Sequence, residues 1–462
     1  MNQARGSARS IAARLSTPAG LIVLFAIALG MRLAFAHGDG HVFDMVLFRR
    51  WAERFADHGP WTFYPQPGED FFVDYPPGYL YVLWGVARVA RYFELDPVPA
   101  YLLKLPAIIA DLGLALVVMR LAERLTPAVE GIRALAAAAV LLNPSVIFVS
   151  AIWGQVEAVA ALFIVWGLLV LGTGRPTLRR EAAGMALLAV AVGTKPQAAF
   201  VLPVVVLVLV YRHSREGWLR GFGRWAVIGG AGLAAGILLL APFRLGPLDA
   251  VDFYANAAGI YKLTSLFAYN LWGVFGFFRP DTGTDAFRVV GVPAFAVGLA
   301  LFSIAGSVVL ARAWLAMRRS SRGPVLVFGS VALSLVGFAF LTRIHERYLF
   351  VPVVVAAALV GLRAHARAFA ALSLLYLANL LHPYLHHYGS AHRADPWFGP
   401  LGRVLFGTAA SDPRPRIFSA AITLFCVFIA WRGWRWLGAD TSGRDEIEHV
   451  ERQDTPQVHE TT

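Results

Sequence analysis

Residues 38–55 read GDGHVFDMVLFRRWAERF, and residues 71–79 read FFVDYPPGY. These two stretches belong to the first polar segment that follows a long apolar run. Apolar side chains recur there at helical spacing and form one face, made by Leu47, Phe48, Trp51 and Phe55. Arginine and glutamate side chains occupy the opposite face. This pattern predicts an amphipathic helix that lies in the membrane interface and does not cross the bilayer.

Asp44 stands at the start of this predicted helix, which is expected to begin near Met45. An aspartate in this position either caps the helix or takes part in chemistry at the boundary between membrane and water. The pattern of this stretch alone leaves both interpretations open. Asp39 and Asp74 are further carboxylates of the same segment.

The composition indicates a polytopic helical membrane protein. The 462 residues are 58% hydrophobic and 15% charged, whereas about a quarter of the residues in a soluble protein are charged. The apolar runs predict an all-α fold with about twelve transmembrane helices. The net charge of +12 is not evidence for nucleic acid binding, because no basic groove interleaved with aromatic residues is present. Cys426 is the single cysteine, which excludes a disulfide within the chain.

Arginine clusters fix the predicted topology. If both termini are cytoplasmic and residues 79–93 form a second juxtamembrane helix, every inner loop carries arginines, as the positive-inside rule requires. We therefore predict a cytoplasmic amino terminus over residues 1–18 and one membrane domain over residues 19–437 with an outer loop at 37–99. Residues 438–462 are polar and acidic and are predicted to be a disordered cytoplasmic tail.

Several polar groups collect on the outer side in this topology. Gln155 and Glu157 start one helix, and the three lysines of the chain, Lys104, Lys195 and Lys262, all face outward. A compact ammonium group is a good phosphate ligand. Asp111 lies inside an apolar span, where a carboxylate is either functional or bonded to a neighbouring helix.

Two outer segments have alternative interpretations. His345 and Arg347 flank Glu346 and can bracket a phosphate as cations, or Glu346 can form an ion pair with a neighbouring arginine. The 244–286 loop is either a platform for a sugar or acceptor or an ordinary amphipathic loop. Its candidate residues are Tyr261, Lys262, Tyr269, Asn270 and Trp272.

Metal and nucleotide chemistry find no support in the sequence. Glu157 has no acidic neighbour in its loop, and hard cations need several oxygen ligands, so no metal site is predicted. No phosphate-binding glycine loop, dinucleotide fingerprint or serine nucleophile motif is present. No cofactor is therefore expected.

The order of these motifs resembles the C-type (GT-C) glycosyltransferases. Asp44 precedes Trp51, and the later motifs are DYPP at 74–77, the Asp111 helix, WGQ at 153–155, KPQ at 195–197 and HER at 345–347. The chain is most similar to the endoplasmic-reticulum glucosyltransferases that extend the lipid-linked N-glycan precursor and to their bacterial relatives. The resemblance covers residues 20–362. The eukaryotic enzymes read His-Glu-Lys where this chain has His345, Glu346 and Arg347.

The resemblance implies a GT-C-like fold, a polyprenyl-phosphate or dolichyl-phosphate sugar donor, inversion at the anomeric carbon and a catalytic base at Asp44. We expect His345, Arg347 and Lys195 to contact the donor phosphate, with Asp74, Glu157, Gln155 and Asp39 as further candidates for the site. The expected reaction moves a hexose, glucose or mannose, to a lipid-linked or surface glycan at the outer face of the plasma (inner) membrane.

Two other classes of protein remain as alternatives. A transporter or lipid flippase is expected to show internal repeats and paired charges at mid-membrane, whereas this chain has one deep acid, Asp111, and no repeat. A polysaccharide polymerase has a similar outward-facing site but uses a diphosphate-linked glycan. Sugar transfer from a monophosphate donor distinguishes the three.

The topology predicts that His41 and His345 face the outside, as does Lys262, while Arg318 and the tail face the cytoplasm. In a Cys426→Ala background, a membrane-impermeant thiol reagent applied to intact cells is expected to label Lys262→Cys and to spare Arg318→Cys. Labelling of Arg318→Cys in intact cells contradicts the topology.

Overall fold

A computed structural model describes residues 13–65, 68–213, 217–319, 322–386, 398–407 and 412–453. The structure is 77% helical with almost no strands. In the first half of the chain the helices are α1 (Pro18–Ala36), α2 (Val42–His58), α3 (Pro77–Tyr92), α4 (Ala100–Leu125), α5 (Ile132–Leu141), α6 (Pro144–Ile147), α7 (Glu157–Gly172), α8 (Leu178–Thr194) and α9 (Leu202–His213). The second half contains α10 (Trp218–Leu240), α11 (Pro247–Ile260), α12 (Leu271–Phe275), α13 (Ala294–Ala316), α14 (Arg322–Phe340), α15 (Phe350–Ala356), α16 (Arg363–His386), α17 (Phe398–Phe406) and α18 (Arg414–Gln453).

Shorter elements join these helices. A π-helix, Phe148–Trp153, continues α6, and 3₁₀ turns cover Pro196–Val201 and Glu346–Leu349 beside the outer motifs. A small antiparallel hairpin pairs β1 (Arg288–Val289) with β2 (Val292–Pro293). The core is one large cluster of buried apolar residues, and α14 is its centre because 94% of its apolar window is buried.

The prediction of an all-α polytopic membrane protein is confirmed. Within the described residues, eight helices are long and apolar enough to cross a membrane, or nine if α5 and the bent segment Pro144–Trp153 form one span. This count is lower than the expected twelve. The sequence assigns a crossing to each apolar run, but α7, α8 and α15 have only 16, 17 and 7 residues, and a full crossing needs about 20.

The structure describes part of each predicted terminal segment. Residues 1–12 of the predicted cytoplasmic segment lie outside the described residues. The last helix, α18, continues to Gln453, so the part of the predicted disordered tail between residue 438 and Gln453 is helical in the structure. Residues 454–462 are also outside the described part.

The amphipathic helix of the first outer loop is α2, and its buried face is the apolar face that the sequence predicts. Phe48, Trp51 and Phe55 are each at most 2% exposed. They pack against α3 and the segment before it, with Phe48 5.6 Å from Tyr79 and Trp51 5.0 Å from Tyr75 between ring centroids. α3 has Pro77 at its first position, where a proline ring fits the helix without losing a hydrogen bond.

Asp44 is not the cap of α2. The helix begins at Val42, and the residue at the cap position is His41, whose Nδ1 lies 3.4 Å from the Asp44 backbone nitrogen. The interpretation of Asp44 as a helix cap is therefore wrong, because another residue satisfies that end of the helix. Its side chain is left for contacts outside α2.

Asp111 forms a buried ion pair with Arg32. Arg32 Nε donates to Asp111 Oδ2 at 2.7 Å, and the Ser150 hydroxyl donates to the same oxygen at 2.6 Å. Arg32 also donates to the Leu141 carbonyl at 2.8 Å. The pair thus ties α1 and α4 to α5 and the π-helix, which supports the structural interpretation of Asp111.

Removing one member of this pair leaves a buried charge without its partner. We expect Arg32→Leu or Asp111→Leu alone to lower the free energy of unfolding by about 3–5 kcal/mol. The double variant is expected to lose much less than the sum of the two. Unfolding of the purified protein in detergent measures all three, and additive losses contradict a direct interaction between these side chains.

Candidate active site

Two cavities lie side by side and share part of their lining. One, the Asp44 cavity, has a volume of about 310 Å³ and contains Asp44 in its wall. The other, the Lys195 cavity, has a volume of about 360 Å³ and contains Lys195. Five residues line both, and these are Asp74, Tyr75, Tyr261, His345 and Arg347. The shared wall therefore brings the outer loop 37–99 together with the 345–347 motif.

The Asp44 carboxylate is held by two aromatic side chains. Trp153 Nε1–H donates to Asp44 Oδ2 at 2.7 Å, and His41 Nδ1 lies 3.0 Å from the same oxygen. The His41 and Trp153 rings stack with centroids 4.8 Å apart. Gly40 makes this turn possible with a φ of +77°, and a Cβ there would lie 2.8 Å from the Trp153 carbonyl oxygen.

These contacts keep Asp44 ionised. Burial alone raises the pKa of a carboxyl group, but the hydrogen bond and charge of His41, the charge of Arg347 and the Trp153 hydrogen bond outweigh it. The pKa of Asp44 therefore lies below its ordinary value. A buried carboxylate that is 8% exposed and faces a cavity is available to accept a proton or a hydrogen bond.

Lys195 and Arg347 form a buried charge cluster with two glutamates. Lys195 Nζ lies 2.5 Å from Glu157 Oε1, and Arg347 Nε lies 3.4 Å from the same oxygen. Arg347 Nη1 donates to Glu346 Oε1 at 3.1 Å. Gln155 supports the cluster, because its Oε1 accepts from Lys195 at 3.4 Å. The ion-pair interpretation of Glu346 thus holds, while Arg347 also faces both cavities.

The surroundings of His345 disfavour its protonated form. Burial, followed by the charges of Arg347 and Lys195, holds its pKa well below the ordinary value. Both effects disfavour the cationic form of His345 that the phosphate-bracketing interpretation needs. His345 still lines both cavities and can offer a hydrogen bond there.

Asp74 occupies the shared wall. Burial raises its pKa, while the charges of Arg347 and Lys195 oppose this rise. The Tyr261 hydroxyl donates to Asp74 Oδ2 at 3.4 Å, and the Tyr261 ring meets His345 edge-on at 5.3 Å. These contacts make Tyr261 part of the site, as the sequence predicts.

The other members of the predicted sugar or acceptor platform do not line either cavity. Lys262 is exposed. Tyr269 is buried and stacks on Phe418 at 5.9 Å. Asn270 caps α12, and Trp272 Nε1–H donates to the Phe340 carbonyl at 2.7 Å. Tyr269, Asn270 and Trp272 are therefore part of the buried core, and the side chains of Asn270 and Trp272 bond to backbone groups.

Asp39 is likewise exposed and absent from the lining of both cavities.

The sequence missed three residues of the site. His41 contacts Asp44, and Tyr75 lines both cavities. Arg343 lines the Lys195 cavity, where Asp281 accepts from its Nε at 2.8 Å. The DYPP motif and the cluster at 343–348 contain two of these residues, but the positive φ of Arg343, 64°, has no signal in the sequence.

Within the ranges that the structure describes, no group of three or more side chains of the metal-ligating types is present.

Among the comparisons with known proteins, the comparison with solved structures gives matches. No family model matches the chain, and a search of curated proteins finds no match. The chain is similar to the crystal structure of ArnT from Cupriavidus metallidurans bound to undecaprenyl phosphate, with 17% identity, 96% of this chain and 82% of ArnT covered, and a TM-score of 0.51. The chain has the GT-C fold. The apo structure of ArnT from the same organism matches with 18% identity, the same coverage of 96% and 82%, and a TM-score of 0.49.

The Trp153 hydrogen bond to Asp44 predicts a loss of stability on Trp153→Phe. The ring is kept and the N–H is lost, and a hydrogen bond to a charged group contributes about 1.5–3 kcal/mol. Trp166→Phe is the matched control, because Trp166 on α7 is 44% exposed, and it is expected to change stability little. Thermal unfolding that shows equal effects for the two variants contradicts the prediction.

Proposed function

We propose that the protein transfers a hexose, glucose or mannose, from a polyprenyl-phosphate donor to a lipid-linked or surface glycan, with inversion at the anomeric carbon. The observation that carries this proposal is the pair of adjoining cavities. Asp44 lines only one of them and Lys195 only the other, while Arg347 lines both. The arginine distribution supports a site at the outer face of the membrane.

Inversion needs a nucleophile and a leaving group on opposite sides of the anomeric carbon. A donor phosphate beside Lys195 and Arg347 directs the sugar toward the shared wall. An acceptor hydroxyl in the Asp44 cavity then approaches from the other side. Asp44 and Lys195 lie in different cavities, and Arg347 lies in the wall that the cavities share, so an acceptor and a donor phosphate can approach the anomeric carbon from different sides.

The Lys195 cavity suits a lipid phosphate. Phe200, Phe295 and Leu341 give it an apolar side, while Lys195 and Arg347 give it a charged side. ArnT, which shares the fold, has been crystallised with undecaprenyl phosphate, and this supports a polyprenyl phosphate as the ligand. A sugar that already carries a phosphate leaving group needs no nucleotide, so we expect no cofactor.

In the proposed step Asp44 removes the proton of the acceptor hydroxyl, and the acceptor oxygen forms a bond to the anomeric carbon. The bond between that carbon and the phosphate oxygen breaks, and its electron pair remains on the phosphate. Arg347 and Lys195 stabilise the charge that develops there. His345, neutral and in the shared wall, can donate a hydrogen bond to the same phosphate.

Asp44→Asn tests the proposal. Asparagine keeps an oxygen that can accept from Trp153, so the variant is expected to fold, but it cannot take a proton. We expect turnover of a polyprenyl-phosphate hexose by the purified protein to fall by a factor on the order of 10²–10⁴. Asp39→Asn, an exposed carboxylate outside both cavities, is the control and should keep near-parental turnover.

Near-parental turnover by a folded Asp44→Asn variant contradicts the role of Asp44. If the wild-type protein transfers sugar only from a diphosphate-linked glycan, the protein is a polymerase.

Transfer is expected to persist in EDTA. Glu157 and Glu346 are engaged by Lys195 and Arg347, and the described residues hold no cluster of three metal-ligating side chains. Activity that is lost on chelation and restored by a divalent cation contradicts this expectation and makes Glu157 a metal ligand.

A further inference from the structure

The cations that face the Lys195 cavity are compensated by carboxylates of the protein. Glu157 Oε1 lies 2.5 Å from Lys195 and 3.4 Å from Arg347, and Glu346 Oε1 lies 3.1 Å from Arg347. Glu157 is 1% exposed and Glu346 is fully buried. These four side chains carry two positive and two negative formal charges before a ligand arrives, and Asp74 adds a further carboxyl group to the lining of the same cavity.

In each glutamate, one of the two carboxylate oxygens makes no hydrogen bond. Glu157 Oε2 and Glu346 Oε2 are buried and have no hydrogen-bond partner in the structure. A buried carboxylate oxygen without a partner is unfavourable, so the ion pair made by the other oxygen is the contact that stabilises each carboxylate in the interior. Neither glutamate lines the two cavities, which places them behind the cations as seen from a ligand.

We propose that Glu157 and Glu346 set the charge of the phosphate that this site accepts. They neutralise Lys195 and Arg347, so the site takes a singly charged phosphodiester and releases a doubly charged phosphomonoester. This inference rests on the proposed function, in which the donor is such a diester and the product is such a monoester.

The physical reason lies in product release. A phosphodiester carries one negative charge, whereas a phosphomonoester carries about −1.5 to −2 at pH 7. Two uncompensated cations in a water-poor cavity would hold the product more tightly than the donor. Carboxylates within 2.5–3.4 Å of the same cations compete with the product phosphate and favour its departure. The same carboxylates also weaken the binding of a diphosphate, which carries more than one negative charge.

Glu157 has a second effect on Lys195. Burial lowers the pKa of Lys195, and the charge of Glu157 opposes this effect, while the charge of Arg347 lowers the pKa further and that of Asp44 raises it. Tyr75 and Gln155 are its uncharged neighbours. Without Glu157, Lys195 loses its proton at a lower pH, so binding to variants is measured at pH 6, where the ammonium form is favoured.

Isothermal titration of the purified full-length protein with farnesyl phosphate tests the proposal. At pH 6 we expect Glu157→Gln to bind farnesyl phosphate about tenfold more tightly than wild type, with a larger gain for farnesyl diphosphate. Glu346→Gln is the second variant and should gain in the same direction, since its partner Arg347 cannot lose its charge. In the transfer assay both should show a lower kcat and stronger inhibition by product.

Glu181→Gln is the matched control. Glu181 is a buried carboxylate, 1% exposed, that pairs with Arg212 at 2.6 Å and with His213 at 2.9 Å, and it lines neither cavity. Its replacement should leave the affinity for farnesyl phosphate unchanged. If all three glutamine variants bind more tightly, the effect is one of net charge and the proposal is overturned.

The remaining outcomes separate this inference from the proposed function. Binding by wild type that Lys195→Ala abolishes, but that Glu157→Gln and Glu346→Gln fail to tighten, overturns the role of the glutamates and leaves the phosphate site standing. Absence of binding by wild type, together with absence of sugar transfer, overturns the proposed function and this inference with it.

Discussion

The pairing of Arg347 with two carboxylates is the interaction on which the site depends. A buried guanidinium without partners is strongly unfavourable in a low-dielectric interior, and Glu346 and Glu157 supply those partners at 3.1 and 3.4 Å. Because Glu157 also holds Lys195, one carboxylate fixes two cations from distant parts of the chain. The 345–347 motif, α7 and the segment after α8 are thereby held around one point.

Some charged groups elsewhere in the described structure are also paired with a group of opposite charge. Among the residues that the structure describes, buried carboxylates repeatedly pair with arginines of separate segments, such as Asp111 with Arg32 and Asp281 with Arg343. These pairs hold the helices in position around the two cavities. The charges that face a ligand are therefore oriented before it binds, which is the property that lets fixed charges stabilise a leaving group.

The sequence predicted those parts of the fold that depend on local patterns. The apolar spacing of 47–55 gave α2 and its buried face, and the prolines at 76 and 77 marked the start of α3. Among the described residues, fewer helices are long and apolar enough to cross a membrane than the sequence has apolar runs, because apolar content alone does not distinguish a crossing helix from a short helix such as α15.

The sequence allowed candidate residues of the site to be named, but it did not predict the contacts between them. Asp44 was named from the resemblance to GT-C glycosyltransferases, and Lys195 and Arg347 from their charge on the predicted outer side; the structure places all three in the walls of the two cavities. The contacts of Asp44 with Trp153, 109 positions away, depend on tertiary packing and leave no local pattern. For Asn270 and Trp272 the sequence left two interpretations open, because the aromatic and amide groups that bind sugars also cap helices and fill cores.

The most direct test of this account is a structure of the protein with a short-chain polyprenyl-phosphate hexose bound, determined by electron cryo-microscopy on the Asp44→Asn variant. The account predicts that the phosphate contacts Lys195 and Arg347, that the prenyl chain runs past Phe200 and Phe295, and that the anomeric carbon faces the Asp44 cavity. A phosphate bound away from Lys195 and Arg347, or a sugar that points away from residue 44, contradicts it.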